Sequence, residues 1–178
     1  VCAVRHIRAN AETYRIDPGR IAAFGYSAGA HLAGLLGVLE GDEPFLQEAC
    51  GDPTVSIGMT FVVSRSGPLD LSYIGITGDS IAVDAVGQYL GATYAENPAR
   101  WDAASPLTYI DPGDPPYLQV HGSLDRTVPV ESAISFAEHF RAIGGESTLM
   151  VVDGAAHDVP LPADLPELQE LIQRFLSF

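Results

Sequence analysis

The sequence predicts an α/β fold: a mostly parallel, buried sheet with flanking helices. Three observations carry that prediction. Apolar runs fit for strands alternate four times with segments of helical periodicity. Those runs are continuously apolar, as suits strands covered on both faces, and not the apolar/polar alternation of half-exposed sheets. The composition, 47% hydrophobic and 18% charged over 178 residues, is that of a globular chain. At this length folding buries about 70% of the extended surface, enough for one core.

Val4, Ile7, Ala11 and Tyr14 recur at helical spacing with Arg5, Arg8 and Glu12 between them, so the chain opens on an amphipathic helix. Asp17-Pro18-Gly19 stops it. Residues 20–25 form the first strand segment. Residues 28–39 are apolar all round, like a helix packed on a sheet. Gly29, Gly34 and Gly37 lower its helix propensity but permit close backbone approach. A polar loop at 41–54 leads to a second strand at 55–63. Residues 71–116 are rich in Gly, Pro and Tyr and hold the only tryptophan, Trp101. They read as an irregular excursion, because about 45 residues are few for an independent core. The third strand falls at 117–120. Ala133, Ile134, Phe136, Ala137, Phe140 and Ile143 form a helical stripe that ends at Gly144-Gly145. The fourth strand is 147–152, and Leu165, Leu168, Leu171, Ile172 and Phe175 face a closing helix.

The charge balance excludes several functions. Nine basic residues, all arginine, stand against 23 acidic ones, for a net charge of −14. Without lysine there is no Schiff-base amine and no phosphate-loop lysine. An acidic chain lacks the basic footprint that nucleic acid or an anionic membrane surface requires. No unbroken apolar run reaches the ~18 residues of a membrane span. No cluster has metal-ligand spacing, so no metal site is expected. Cys2 and Cys50 are too few for a disulfide framework, though they could pair once.

Gly25-Tyr26-Ser27-Ala28-Gly29 fits Gly-x-Ser-x-Gly and sits where the first strand gives way to a helix. Strand, sharp turn and helix form the setting in which a serine is strained and its Oγ projects above a sheet. The helix N-terminus supplies N–H groups for an oxyanion, with Ala28 the first donor. A serine nucleophile needs a base, and the base an orienting acid, after the C-terminal ends of later strands. Asp125 follows the third strand in His121-Gly122-Ser123-Leu124-Asp125. His157 follows the fourth in Asp153-Gly154-Ala155-Ala156-His157. The expected site is therefore Ser27, Asp125 and His157, with Tyr26 beside the serine as a substrate contact.

These segments resemble the C-terminal part of an α/β-hydrolase of the esterase/lipase branch. The resemblance rests on Gly25 to Ala33, Ser66-Gly67-Pro68-Leu69-Asp70-Leu71, Ala104-Ser105-Pro106-Leu107, Pro115-Pro116-Tyr117, His121-Gly122-x-x-Asp125-x-x-Val128-Pro129 and Gly154-Ala155-Ala156-His157, in order. It covers nearly the whole chain and is closest to esterases of small acyl groups, including carbohydrate acetyl and feruloyl esters. It implies one α/β-hydrolase domain over 1–178, a small ester as partner, and a Ser–His–Asp acyl-enzyme mechanism without cofactor. The family's glycine-rich oxyanion loop, which precedes the elbow, has no counterpart here. The resemblance therefore implies a chain lacking the N-terminal strands, with the second oxyanion donor elsewhere. The alternatives are a peptidase of the prolyl-oligopeptidase type and a truncated hydrolase-fold chain without turnover.

Asp70 is the rival acid, although its place suggests that it caps its own turn. Asp153 and Asp158 are expected as loop polar groups. His31 points along the helix and is expected to be structural, His121 to tie its loop together, and His6 and His139 to face solvent. Trp101 and Tyr73 are candidates for an acyl pocket, with plain packing as the alternative.

Overall fold

The computed structural model describes residues 1–41, 52–160 and 165–177. Cys50, most of the expected polar loop and the Phe175 side chain lie outside the described residues. The pairing of Cys2 with Cys50 therefore falls outside them too.

Helices α1 (Cys2–Ala9) and α2 (Ala11–Tyr14) open the chain, followed by β1 (Ala23–Tyr26), α3 (Ala28–Val38) and β2 (Val62–Arg65). Next come α4 (Leu71–Thr77), α5 (Ser80–Leu90), α6 (Pro98–Ala104) and a 3₁₀ turn at Pro106–Tyr109. The chain continues with β3 (Tyr117–Gly122), α7 (Val130–Ala142), β4 (Ser147–Val152) and α8 (Pro166–Leu176). The four strands form one parallel sheet in the order β1-β2-β3-β4, with β1 and β4 at its edges.

Burial on both faces explains the continuous apolar runs of the central strands β2 and β3. Contrary to the expectation for every strand, the edge strand β1 alternates buried and exposed residues, with Phe24 exposed, because no strand among the described residues covers its outer side. Val62 and Tyr117 face one layer, where Val38 of α3 and Phe136 and Phe140 of α7 join them. Val63 and Leu118 face the other, covered by Leu168, Leu171 and Ile172 of α8. Gly37 is needed here, because a Cβ would fall 2.1 Å from the Tyr117 hydroxyl. That hydroxyl donates to the Gly34 carbonyl at 2.7 Å.

The structure corrects three boundaries. The opening helix is two, because Asn10 leaves helical geometry and its side-chain amide donates to the His6 carbonyl, competing with the backbone ladder. The second strand starts at Val62 and not at residue 55. Arginines of α1 take the carbonyls that strand pairing would have used. Arg5 donates to Val55, and Arg8 to Ser56 and Gly58. The excursion at 71–116 is helical, not irregular. Asp70, Asp79 and Asn97 cap the starts of α4, α5 and α6, and Gly91, at φ 71°, ends α5. Leu71, Ile74 and Trp101 of the excursion pack with Val128, from the loop after β3, in a small second core.

Candidate active site

Only Ser27 separates β1 from α3. Its backbone sits at φ 53°, ψ −123°, which L-residues rarely adopt. Three backbone hydrogen bonds hold it there. Its N–H donates to Arg65 at 3.0 Å, and its carbonyl accepts from Ala30 at 2.9 Å and His31 at 3.1 Å. Gly25 makes the turn possible, since a Cβ there would lie 2.1 Å from the Gly29 carbonyl oxygen. Gly29 does not share that role: among the described residues nothing comes within 4 Å of a Cβ built on it. Ala28 opens α3, and the first N–H groups of a helix have no intrahelical acceptor.

Parallel register aligns the C-terminal ends of β1, β2, β3 and β4, and the loops beyond them meet over Ser27. His157 Nε2 lies 2.9 Å from Ser27 Oγ. His157 Nδ1 lies 2.7 Å from Asp125 Oδ2. The Nδ1–H thus donates to the carboxylate and leaves Nε2 free to accept from the serine hydroxyl. Asp125 Oδ1 accepts from the N–H groups of Thr127 at 3.0 Å and Val128 at 2.9 Å. His121 Nε2 approaches Oδ2 at 3.2 Å. Burial alone would raise the Asp125 carboxyl, but hydrogen bonds from His121, His157 and Val128 outweigh it and hold the acid well below the usual carboxylate range.

Residues outside the expected set shape the site. The Ser66 hydroxyl donates to the His157 carbonyl at 2.7 Å. Arg65 pairs with Asp158 at 2.5 Å and donates to the Val159 carbonyl, so the end of β2 fixes the histidine's carbonyl and the two residues that follow it. The Arg65 guanidinium carbon lies 4.6 Å from the centre of the Tyr26 ring, whose own centre is 5.2 Å from that of His157. The acid and histidine loops are also stitched together. Leu124 donates to Ala155 at 2.9 Å and Ser123 to Val152 at 3.0 Å. A Cβ on Gly122 would fall 2.3 Å from the Ala155 and Ala156 carbonyl oxygens.

A family model described as BD-FAE matches residues 1–140. The chain belongs to the BD-FAE family. Ser27 and Asp125 lie within the matched residues, and His157 lies past them. Esterase LipC of Mycobacterium tuberculosis is 30% identical over 161 residues, 89% of this chain and 40% of LipC. Esterase LipQ of the same organism is 30% identical over 142 residues, 80% of this chain and 33% of LipQ. The chain therefore spans well under half the length of these relatives. Est2, a thermophilic esterase of Thermogutta terrifontis solved with propionate bound, is 30% identical with a TM-score of 0.75, covering 98% of this chain and 61% of Est2. The fold is that of α/β-hydrolase esterases.

The rival residues of this BD-FAE chain have other work. Asp70 caps α4, accepting from the Ser72 N–H at 3.1 Å, and takes the Ser135 hydroxyl at 3.0 Å. His31 Nε2 donates to the Ala104 carbonyl at 2.7 Å. His121 Nε2 lies 2.8 Å from the Val128 carbonyl, tying its loop as expected. His6 meets the Tyr14 hydroxyl at 2.9 Å, and Asp153 accepts from Ser123. Trp101 is wholly buried against Tyr94 and donates to the Ala92 carbonyl, so it packs the excursion and lines no acyl pocket. Tyr73 stands beside Asp79, Asp125 and Arg126, on the acid's side of the site. A cavity of about 330 Å³, almost wholly apolar, opens instead beside Ala28, walled by Leu32, Pro68, Leu71, Val86 and Tyr89. Among the described residues no cluster could hold a metal ion, and no helix is long and apolar enough to cross a membrane.

Proposed function

We propose that this chain carries the catalytic centre of a serine hydrolase that cleaves small carboxylic esters through an acyl-enzyme. One observation bears most of the weight: Ser27 Oγ, His157 and Asp125 stand in an unbroken relay of 2.9 and 2.7 Å. His157 Nε2 takes the serine proton as Oγ attacks the ester carbonyl, and Asp125 holds the ring and supports the imidazolium. The Ala28 N–H stabilises the oxyanion. His157 then protonates the departing alcohol, and water, deprotonated by the same ring, releases the acid. Tyr26, packed on His157, forms a wall for the substrate. The apolar cavity beside Ala28 suits an apolar substituent of the ester. No step calls for a cofactor.

The esterases LipC, LipQ and Est2 support an ester rather than an amide as substrate. In the full native protein, p-nitrophenyl acetate should be turned over, Ser27→Ala should abolish turnover, and short peptide amides should be poor substrates. Faster amide than ester cleavage would favour a peptidase. Undiminished turnover by Ser27→Ala would end the proposal.

A further inference from the structure

We infer that Asp79, at the start of α5, is a positioning residue for the catalytic acid, acting through the Thr127 hydroxyl. The inference rests on the reading of Ser27, His157 and Asp125 as the catalytic set. Asp79 and Thr127 are 48 residues apart in the chain. Asp79 uses every polar group it has. Its Oδ1 caps α5 by accepting from the Ala82 N–H at 2.8 Å. Its Oδ2 accepts from the Thr127 hydroxyl at 2.9 Å. Its own N–H donates to the Arg126 carbonyl at 3.0 Å. A cap needs only the first of these bonds. The other two reach out of the helical excursion and grip the acid loop on both sides of one peptide unit.

That peptide unit is where Asp125 is aimed. The Thr127 N–H donates to Asp125 Oδ1 at 3.0 Å, which leaves Oδ2 for His157. The Val128 N–H also reaches Oδ1, and the Val128 carbonyl is tied by His121. Thr127 is thus the member of the pair whose side chain is gripped from outside the loop. Loss of that grip lets the carboxylate turn about its Cβ–Cγ bond while keeping the Val128 bond, and Oδ2 swings off the His157 Nδ1–H. The same helix lines the apolar cavity beside Ala28 with Ala85, Val86 and Tyr89. One clamp therefore joins the wall of the proposed substrate pocket to the acid.

The test uses the full native protein with p-nitrophenyl acetate. Asp79→Ser keeps a good helix cap, since serine ranks with aspartate there, but is too short to reach Thr127. Thr127→Val removes the hydroxyl at constant shape, and Thr127→Ser keeps it. Asp79→Ser and Thr127→Val should each lower kcat about tenfold while KM stays within about twofold, the split expected when a transition-state interaction alone is weakened. Thr127→Ser should restore kcat. The double variant should be no worse than either single one, because both remove the same bond. Wild-type kcat in either single variant, losses that multiply in the double variant, or Thr127→Ser as impaired as Thr127→Val would each overturn the inference. Should one single variant fail to fold, the kcat of the other decides. Ser27→Ala, run alongside, separates the two levels: if it is as active as wild type, the reading of the site falls and this inference with it. If it is dead while the clamp variants are unimpaired, this inference alone falls.

Discussion

Exchanging the two glycines of the elbow for alanine, one at a time, should have opposite outcomes. A Cβ on Gly25 would lie 2.1 Å from the Gly29 oxygen, 2.2 Å from its carbonyl carbon and 2.4 Å from the Ala30 nitrogen. Comfortable contacts lie near 3.5–4 Å. All three atoms are backbone, so no side chain can swing aside, and the first turn of α3 must retreat by roughly 1 Å or more. Ser27 spans that gap, held through its N–H to Arg65 and its carbonyl to Ala30 and His31. A 1 Å misplacement of a reacting group costs on the order of 10²-fold in rate, and overpacking typically costs ~1–3 kcal/mol of stability. Gly25→Ala should therefore lower kcat on p-nitrophenyl acetate about a hundredfold and lower the melting temperature. Gly29→Ala meets no described atom within 4 Å. It should leave kcat near wild type and stabilise the protein by about 0.5–1 kcal/mol, the helix preference of alanine over glycine. The assay is turnover and thermal melting of both variants in the full native protein. Gly25→Ala with wild-type kcat and melting temperature would refute the packing argument.

Asp125→Asn should cost ~10⁴ in kcat by misorienting the imidazole, whereas Asp70→Asn should not act at the chemical step; the reverse order in steady-state kinetics would exchange the acids. Burial depresses the His31 pKa, so the unfolded chain takes up the proton first. His31 should cost stability as pH falls below the unfolded value of about 6.5, and His31→Gln should remove that loss from a pH series of melting curves. Burial raises Asp114 to about 6, helped by the charges of Asp111 and Glu40 against a hydrogen bond from the Asp111 N–H. The folded state then holds a proton that the unfolded chain releases. Asp114→Asn should melt higher than wild type at pH 7.5, with the gain closing by about pH 4.

The parts of the molecule legible in sequence are those written in contiguous residues. Gly25 to Gly29, the strand at Ser147–Val152 and the acid and histidine loops each declare themselves within a few positions. What needs a distant partner did not show. Nothing local reveals that Arg5 and Arg8 take the carbonyls near Ser56, so the apolar run by itself predicts a strand over 55–63. The excursion had signals that its abundance of Gly, Pro and Tyr masked: Asn97-Pro98 opens α6, and Gly91 closes α5. Arg65 ends a strand and Ser66 follows it, the place where site residues gather, but their hold on His157 and its neighbours spans more than 90 residues of chain. Asp79 had no sequence signal toward the site beyond its place as a helix cap.

The role of Ser27 is open to the most direct measurement. The full native protein, treated with a fluorophosphonate and digested, should carry a single adduct on the peptide containing Ser27. The adduct should form in step with loss of ester turnover, and far more slowly in His157→Ala. A fully active enzyme after Ser27 is labelled, or inactivation with the adduct on another residue, would contradict the assignment of Ser27 as the nucleophile.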